Sequence, residues 1–431
     1  MFLTKQTFAQ SCKKEGAKAM TQKIKTDRKI LHIDMNNCYA SIERLYDSRL
    51  REVPFAVAGS EENRHGIILA KNQLAKECGV VTGEAIWQAR EKCPELLLIP
   101  PHFERYMDMS RRARLIYERY TDRIEPFGLD ECWLDVTCTR RDIKEVADEI
   151  RETVKNELGI TVSVGASFNK VFAKLGSDMK KPDATTVIDR ENFRALTGDL
   201  SVGDLLYVGR STMKKLNSHG IYTIGELADF PSQYLKAWFG KRGIDLHRFA
   251  NGIGESYIPL CTVKREVKSV SNGATAGRDL YLPFEIHSLI AAMSESVAYR
   301  MRKSGLCSRG VSLTVKSSRF EIFQKQRRLH ECIDDSLEIS KIADELFREL
   351  YSIEKYGGVR AITVCCYELS NSDEAVQTDL FCDYKQKDKR KKINTTVDKI
   401  RSRYGYSSIY PAAAGIDKPE KGNAANAFQR S

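Results

Sequence analysis

The stretch Gly128-Leu129-Asp130-Glu131-Cys132-Trp133-Leu134-Asp135 sets two carboxylates side by side among apolar residues. An ionised carboxylate in an apolar run needs a counter-charge or a metal, so the chain has to fold with this pair where one can reach it. A surface turn with two acids is the plain alternative. Against it stands a second apolar run that ends in an acid, Ile30-Leu31-His32-Ile33-Asp34. Whether the two runs meet is for the rest of the chain to show.

Hydrophobic periodicity orders the rest of the chain. Strands are predicted at Lys29 to Asp34, Val53 to Ala58, Gly66 to Ala70, Thr161 to Ala166 and Thr185 to Ile188, with helices near Phe103 to Thr121, Arg141 to Glu157 and Asn169 to Lys181. Asn36 and Asn37 offer caps for a helix after the first strand. The helix from Asn169 carries Lys170, Lys174, Lys180 and Lys181, which would also suit an ordinary solvated face. From Ser201 the pattern changes to short helices. Leu206 to Leu216 and Gly220 to Leu227 suggest a helical hairpin, which either packs as such or offers N–H groups to a phosphate. From Val267 to Tyr367 the order is β-α-β-β-α-β, the arrangement of a four-stranded antiparallel sheet backed by two helices. Its strands carry Lys316, Arg319, Lys325, Arg327 and Arg328, either as edge protection or as anion contacts.

At 431 residues the chain is long enough for two to four domains without metals or disulfides for stability. Its net charge is +11, and residues 383–403 alone hold nine basic and three acidic side chains. That concentration suggests an anionic partner, nucleic acid before membrane. Twelve cysteines, only Cys365 and Cys366 adjacent and none in a C-x-x-C pair, argue against zinc and against a disulfide framework, so reduced thiols in a cytoplasmic protein are expected. No apolar run approaches the roughly 20 residues that span a bilayer. Residues 1–28 read as a basic extension, with Met20 an alternative start.

Three blocks resemble the Y-family (translesion) DNA polymerases, of the bacterial DNA polymerase IV and UmuC-like kind. They are Ile33-Asp34-Met35-Asn36-Asn37-Cys38-Tyr39-Ala40-Ser41-Ile42-Glu43, Leu129 to Asp135, and Ser163 to Lys174 with Lys180-Lys181-Pro182. The resemblance runs from about Lys29 to Tyr367. It implies an α+β, multidomain right-hand polymerase: a ferredoxin-like palm (29–45 and 103–190), small fingers (46–102), a helical thumb with a helix-hairpin-helix (191–260) and a ferredoxin-like little finger (261–370). Residues 371–431 would hold a clamp-binding peptide and a basic tail.

The implied activity is template-directed, error-prone addition of dNTPs to a primer 3′-OH without proofreading. It implies two Mg²⁺ ions on Asp34, Asp130, Glu131 and the Met35 backbone carbonyl, with Asp135 a supporting acid. Two such ions activate the attacking hydroxyl and stabilise the leaving pyrophosphate. Tyr39 falls at the steric gate against ribose, and Lys181 at a triphosphate contact. The fingers depart from the family: Ala70, Gln73 and Lys76 stand where many relatives have Thr, Tyr and Arg, and lysine lacks arginine's bidentate fork. The hairpin departs too, with Leu206-Tyr207 in place of Pro-Gly and Gly209 left as the turn's glycine for DNA-backbone contact. Lys316, Arg319, Lys325 and Arg327 would meet DNA phosphates in the little finger. Gln377, Leu380 and Phe381 resemble the peptide that docks on the sliding clamp (beta subunit). The partners expected are primer-template DNA, dNTPs and that clamp, for a monomer with no membrane. The competing readings are a catalytically weak accessory that binds DNA and clamp, and a palm-fold nucleotide cyclase.

Overall fold

The computed structural model describes residues 27–59, 66–263, 266–372 and 384–409. They fall into two units, one of residues 27–48 with 104–263, the other of residues 49–103 with 266 onward. In chain order, β1 (Ile30–Met35) is buried along its length and leads through a tight turn into α1 (Cys38–Tyr46). The expected asparagine cap is not made. Asn37 takes a left-handed φ of 49° with no side-chain cap, while the Asn36 amide is tied to Thr161 and Ser163.

Residues 49–103 form a small α/β layer. β2 (Phe55–Ala58) pairs antiparallel with β3 (Ile68–Lys71), and α2 (Gln73–Glu77) and α3 (Ile86–Lys92) follow before β4 (Leu97–Ile99) pairs parallel with β2. Ala56, Ile68, Ala75, Ile86 and Ala89 make its core. β4 is three residues long with Leu97 exposed, too short and too open for periodicity to reveal.

The first unit resumes with α4 (Phe103–Tyr117), β5 (Ile124–Pro126), β6 (Glu131–Asp135), α5 (Ile143–Leu158), β7 (Val162–Ser167), α6 (Lys170–Met179) and β8 (Thr185–Ile188). Its sheet runs β5-β6-β1-β7-β8, so the two acid-bearing strands are neighbours at its centre. α6 starts where the Asn169 side chain accepts the Phe172 N–H. It then lies so close to β7 that a Cβ on Gly165 would come within 1.8 Å of the Ala173 carbonyl oxygen. α7 (Arg210–Asn217), α8 (Ile224–Asp229), α9 (Ser232–Phe239) and α10 (Lys241–Ala250) complete the unit, sharing with α6 a core that includes Phe172, Leu175, Leu216, Leu227 and Leu246.

The last module is β9 (Ser269–Leu280), α11 (Pro283–Lys303), β10 (Leu306–Ser317), β11 (Ile322–Ile333), α12 (Ser336–Leu350) and β12 (Val359–Asn371). Its strands run β11-β10-β12-β9, all antiparallel. Ile290, Val297, Val311, Leu313, Ala343 and Val364 pack the two helices on one sheet face, each large aliphatic worth about 1.5–3 kcal/mol of burial.

Residues 371–431, expected to hold a clamp-binding peptide and a basic tail, include the helix α13 (Tyr384–Tyr404), held on α11 and α12. One expectation is corrected: the thiols are not all reduced, since Cys307 and Cys332 are disulfide-bonded. The two lie 25 residues apart on adjacent strands, and pairing by strand register leaves no mark in sequence spacing. No helix among the described residues is long and apolar enough to cross a membrane.

Candidate active site

Register places the acids. In the antiparallel β1–β6 pair Asp34 is opposite Glu131 and His32 opposite Trp133, so these four side chains share one face of the sheet. Asp130 is delivered by a turn in which Gly128 takes φ 106°, and its carbonyl accepts the Met35 N–H at 3.1 Å, fixing Asp130 beside the end of β1. Across β7 the same face carries Gly165 opposite His32, the position where α6 crosses.

α6 and the turn after it bring the cations. Lys174 Nζ lies 2.8 Å from Glu131 Oε1, and Lys181 Nζ lies 2.8 Å from Asp34 Oδ2 and 2.7 Å from Asp178. Lys170 takes another partner, Glu125, at 2.5 Å, so three of the four lysines are engaged with acids, while Lys180 is exposed. His32 is fully buried beneath the cluster. Ser177 Oγ donates to the Lys174 carbonyl and therefore accepts from His32 Nδ1 at 2.8 Å, which leaves Nε2 3.5 Å from Glu131 Oε2. Sequence reading did not single out His32, and an apolar strand context gives no sign of it.

The charges are out of balance. Burial pushes the Asp34 carboxyl up to about 7, against the pull of Lys181, and Glu131 adds to the rise. Asp130 is raised by burial and by the neighbouring Glu131 charge. Glu131 goes the other way: burial opposes ionisation, but His32 and the Lys174 ammonium bring it to about 2. Glu131 repels both Asp34 and Asp130, and the three carboxylates offer hard-oxygen donors of the kind that suits a hard divalent cation, although their oxygens do not all lie within 4.8 Å of one another. Asp135, in contrast, is saturated locally by Arg28 and by the Thr137 N–H and hydroxyl.

Tyr39 stands on α1 with its ring stacked on Tyr106 of α4, centroids 4.2 Å apart and planes within 8°. Tyr106 is itself anchored by its hydroxyl to Glu43 at 2.6 Å. Burial pushes the Tyr39 phenol up to about 12, with the Cys38 and Asp130 charges adding. The stacked ring therefore lies within electrostatic reach of Asp130.

Gln73 and Lys76 are exposed on α2, Gln73 donating to Glu77, and Ala70 lies on β3. Gly209 caps α7 with open space where a Cβ would stand. Two residues earlier Tyr207 takes φ 73°, a left-handed conformation that glycine adopts more readily. In the last module several of the basic residues expected to meet DNA phosphates are engaged with acids. Lys325 and Arg327 alternate onto the helix side, where Lys325 pairs with Glu349 and Arg327 with Glu345 and Glu349. Arg328 points to the open face but pairs with Glu368. Lys316 rests over the Phe320 ring, and Arg319 is exposed in the adjoining turn. Gln377, Leu380 and Phe381 lie outside the described residues. In residues 49–103, Cys78, Cys93 and Glu95 also gather within 4.8 Å, but both sulfurs belong to a small apolar core.

Comparison with known proteins adds an independent line. Residues 33–178 match the impB/mucB/samB family, residues 267–380 that family's C-terminal domain, and residues 203–254 the thumb domain of DNA polymerase-iota. The chain is 46% identical over 385 residues to a DNA polymerase IV of Acetivibrio thermocellus, covering 89% of this chain and 96% of that one. It is 33% identical to DNA polymerase IV 1 of Bacillus subtilis, covering 94% and 97%. Among solved structures, a Y-family DNA polymerase chimera superposes with a TM-score of 0.70 at 20% identity, covering 79% of this chain and 98% of that one.

Proposed function

The chain belongs to the impB/mucB/samB family of Y-family, translesion DNA polymerases, and on that premise we propose that Asp34, Asp130 and Glu131, with the Met35 carbonyl, are its metal-binding catalytic group. As a DNA-directed nucleotidyltransferase it works on primer-template DNA and dNTPs with a divalent metal. Mg²⁺ is the ion we infer, from the all-oxygen donor set. The single observation that carries the reading is the convergence of Asp34 and Glu131 across β1 and β6, with Asp130 beside them. The accessory-protein reading loses ground because the full carboxylate set is present and crowded. A nucleotide cyclase would lack the thumb and the last module.

When bound, two such ions would lower the pKa of the primer hydroxyl and neutralise charge building on the pyrophosphate. The chain's own residues do the positioning. β1 and β6 fix the two carboxylates face to face, and the Asp130 carbonyl locks the third to β1. Lys174 and Lys181 hold Glu131 and Asp34, and each would be free to turn to a phosphate once its carboxylate is taken up by a cation. Tyr39, stacked on Tyr106, closes the space a ribose 2′-OH would need. Gln73 and Lys76 supply weaker triphosphate contacts than a tyrosine and arginine would. Gly209, Lys316 and Arg319 are the DNA-backbone contacts we retain, while Lys325 and Arg327 must first release Glu345 and Glu349.

Gln377 to Phe381 is the clamp-docking peptide in this reading, in a cytoplasmic enzyme. Primer extension on undamaged and lesion-bearing templates, with and without clamp, tests the whole proposal. Extension on both templates, stimulated by clamp, is expected. Deleting residues 377–381 should remove the stimulation and leave clamp-free extension unchanged; stimulation that survives the deletion puts the docking peptide elsewhere.

A further inference from the structure

α13 has two opposite faces, and only one is spoken for. Along the docked face Arg390 lies 3.8 Å from Glu338, and Asn394 donates to Asp335 at 2.9 Å. Asp398 receives a two-pronged contact from Arg302 at 2.7 and 3.0 Å. Arg401, 2% exposed, pairs with Glu295 at 2.5 Å and donates to the Ile409 carbonyl. These positions recur every three or four residues, so they form one seam on α11 and α12.

The opposite seam reads Lys389, Lys392, Thr396, Lys399 and Arg403, again every three or four residues, and all five are exposed. None of its four cations pairs with an acid among the described residues. The one acid between Lys389 and Arg403 is Asp398, committed to Arg302. Like charges at this spacing repel along a helix, a cost that a matching anion removes. From Lys389 to Arg403 the row extends about 21 Å at 1.5 Å per residue, the axial length of roughly six phosphates of one DNA strand.

We propose that this seam is a nucleic-acid binding ridge, a phosphate-tracking surface on the helix side of the module, additional to the primer-template contacts of the polymerase. Nucleic acid is favoured over a lipid surface because an interfacial helix needs a free apolar face, and the face opposite these cations is occupied by ion pairs. The proposal does not depend on the carboxylate assignment, since phosphate tracking needs no metal.

The test is equilibrium binding of the full chain to a fluorescent 30-base-pair duplex in EDTA, where catalysis is silent, across a salt series. Replacing Lys389, Lys392, Lys399 and Arg403 by Gln should flatten the slope of log K against log salt by about three to four and weaken binding at 0.1 M salt by tenfold or more. K389Q/K392Q and K399Q/R403Q should each give about half the change, which guards against a fourfold variant that fails to fold. Lys389→Arg with Lys392→Arg and Lys399→Arg keeps the charge and should bind as the parent does. An unchanged slope in the Gln variants overturns the proposal. So does a loss confined to phosphatidylglycerol vesicles, which would make the ridge a membrane contact.

Discussion

Asp34 and Glu131 are direct cross-strand partners in the β1–β6 pair, although 97 positions separate them in the chain. Neither is an expendable surface acid, since each holds a lysine at 2.8 Å and the Glu131 charge helps raise the Asp34 carboxyl. Glu131→Ala and Asp130→Ala should each cut primer extension by about a thousandfold or more, in line with the several kcal/mol a metal contributes to transition-state charge. DNA affinity should change little in a gel-shift or anisotropy assay. Normal extension by either variant removes the two-metal assignment.

Tyr39 lies flat on Tyr106, which Glu43 anchors from behind. A ring backed by an anchored Tyr106 would keep its position if a ribose 2′-OH pressed on it, as the proposed steric gate requires. Tyr39→Ala should therefore raise incorporation of ribonucleotides relative to deoxynucleotides by about 10²-fold or more, read as a ratio of kcat/KM for the two sugars. Tyr106→Ala, which leaves the gate but removes its brace, should show a smaller rise in the same direction. A ratio that moves for neither variant returns Tyr39 to ordinary core packing.

Much of this was legible before any coordinates. The last module's β-α-β-β-α-β order follows from alternating and helical runs long enough to leave little ambiguity, as in Val311 to Val315 and Ile286 to Met301. The acid cluster was legible because carboxylates in apolar strands demand partners. What escaped was set by register and face rather than by residue type. Lys325 and Arg327 look like any basic strand residues until α12 supplies Glu345 and Glu349. The charge run after 383 resembles a solvated tail because its stabilising acids, Glu295, Asp335 and Glu338, sit 52 to 106 residues away. The Cys307–Cys332 bond was hidden for the same reason.

Burial raises the Asp34 pKa to about 7 from a model-compound value of 3.8, so the folded chain binds a proton there more tightly than the unfolded chain. Between those two values the fold gains stability as pH falls and loses it as pH rises. Asp34→Asn removes the dependence. In EDTA the variant should be more stable than the parent at pH 8, by an amount on the order of 1–2 kcal/mol, with the difference shrinking toward pH 4. Urea unfolding at pH 8, 6 and 4 measures it; a parent more stable than the variant at pH 8 contradicts the direction.

Tyr207 holds φ 73° at the hairpin, where a side chain's Cβ crowds the backbone at a cost of roughly 1–2 kcal/mol. Its ring recovers part of this through a tilted contact with Phe249 at 5.9 Å, but the residue remains 48% exposed. Glycine there would relieve the strain, give up the ring contact and gain entropy in the unfolded chain, so the three effects partly cancel. Because an exposed tilted contact is the smallest of the three, Tyr207→Gly should raise the thermal midpoint of the full chain modestly, by about 0.5 kcal/mol in stability terms. Tyr207→Ala keeps the strained Cβ and loses the ring, and should lower the midpoint. The opposite ordering of the two variants would mean that the Phe249 contact, not the backbone, decides the energy of this turn.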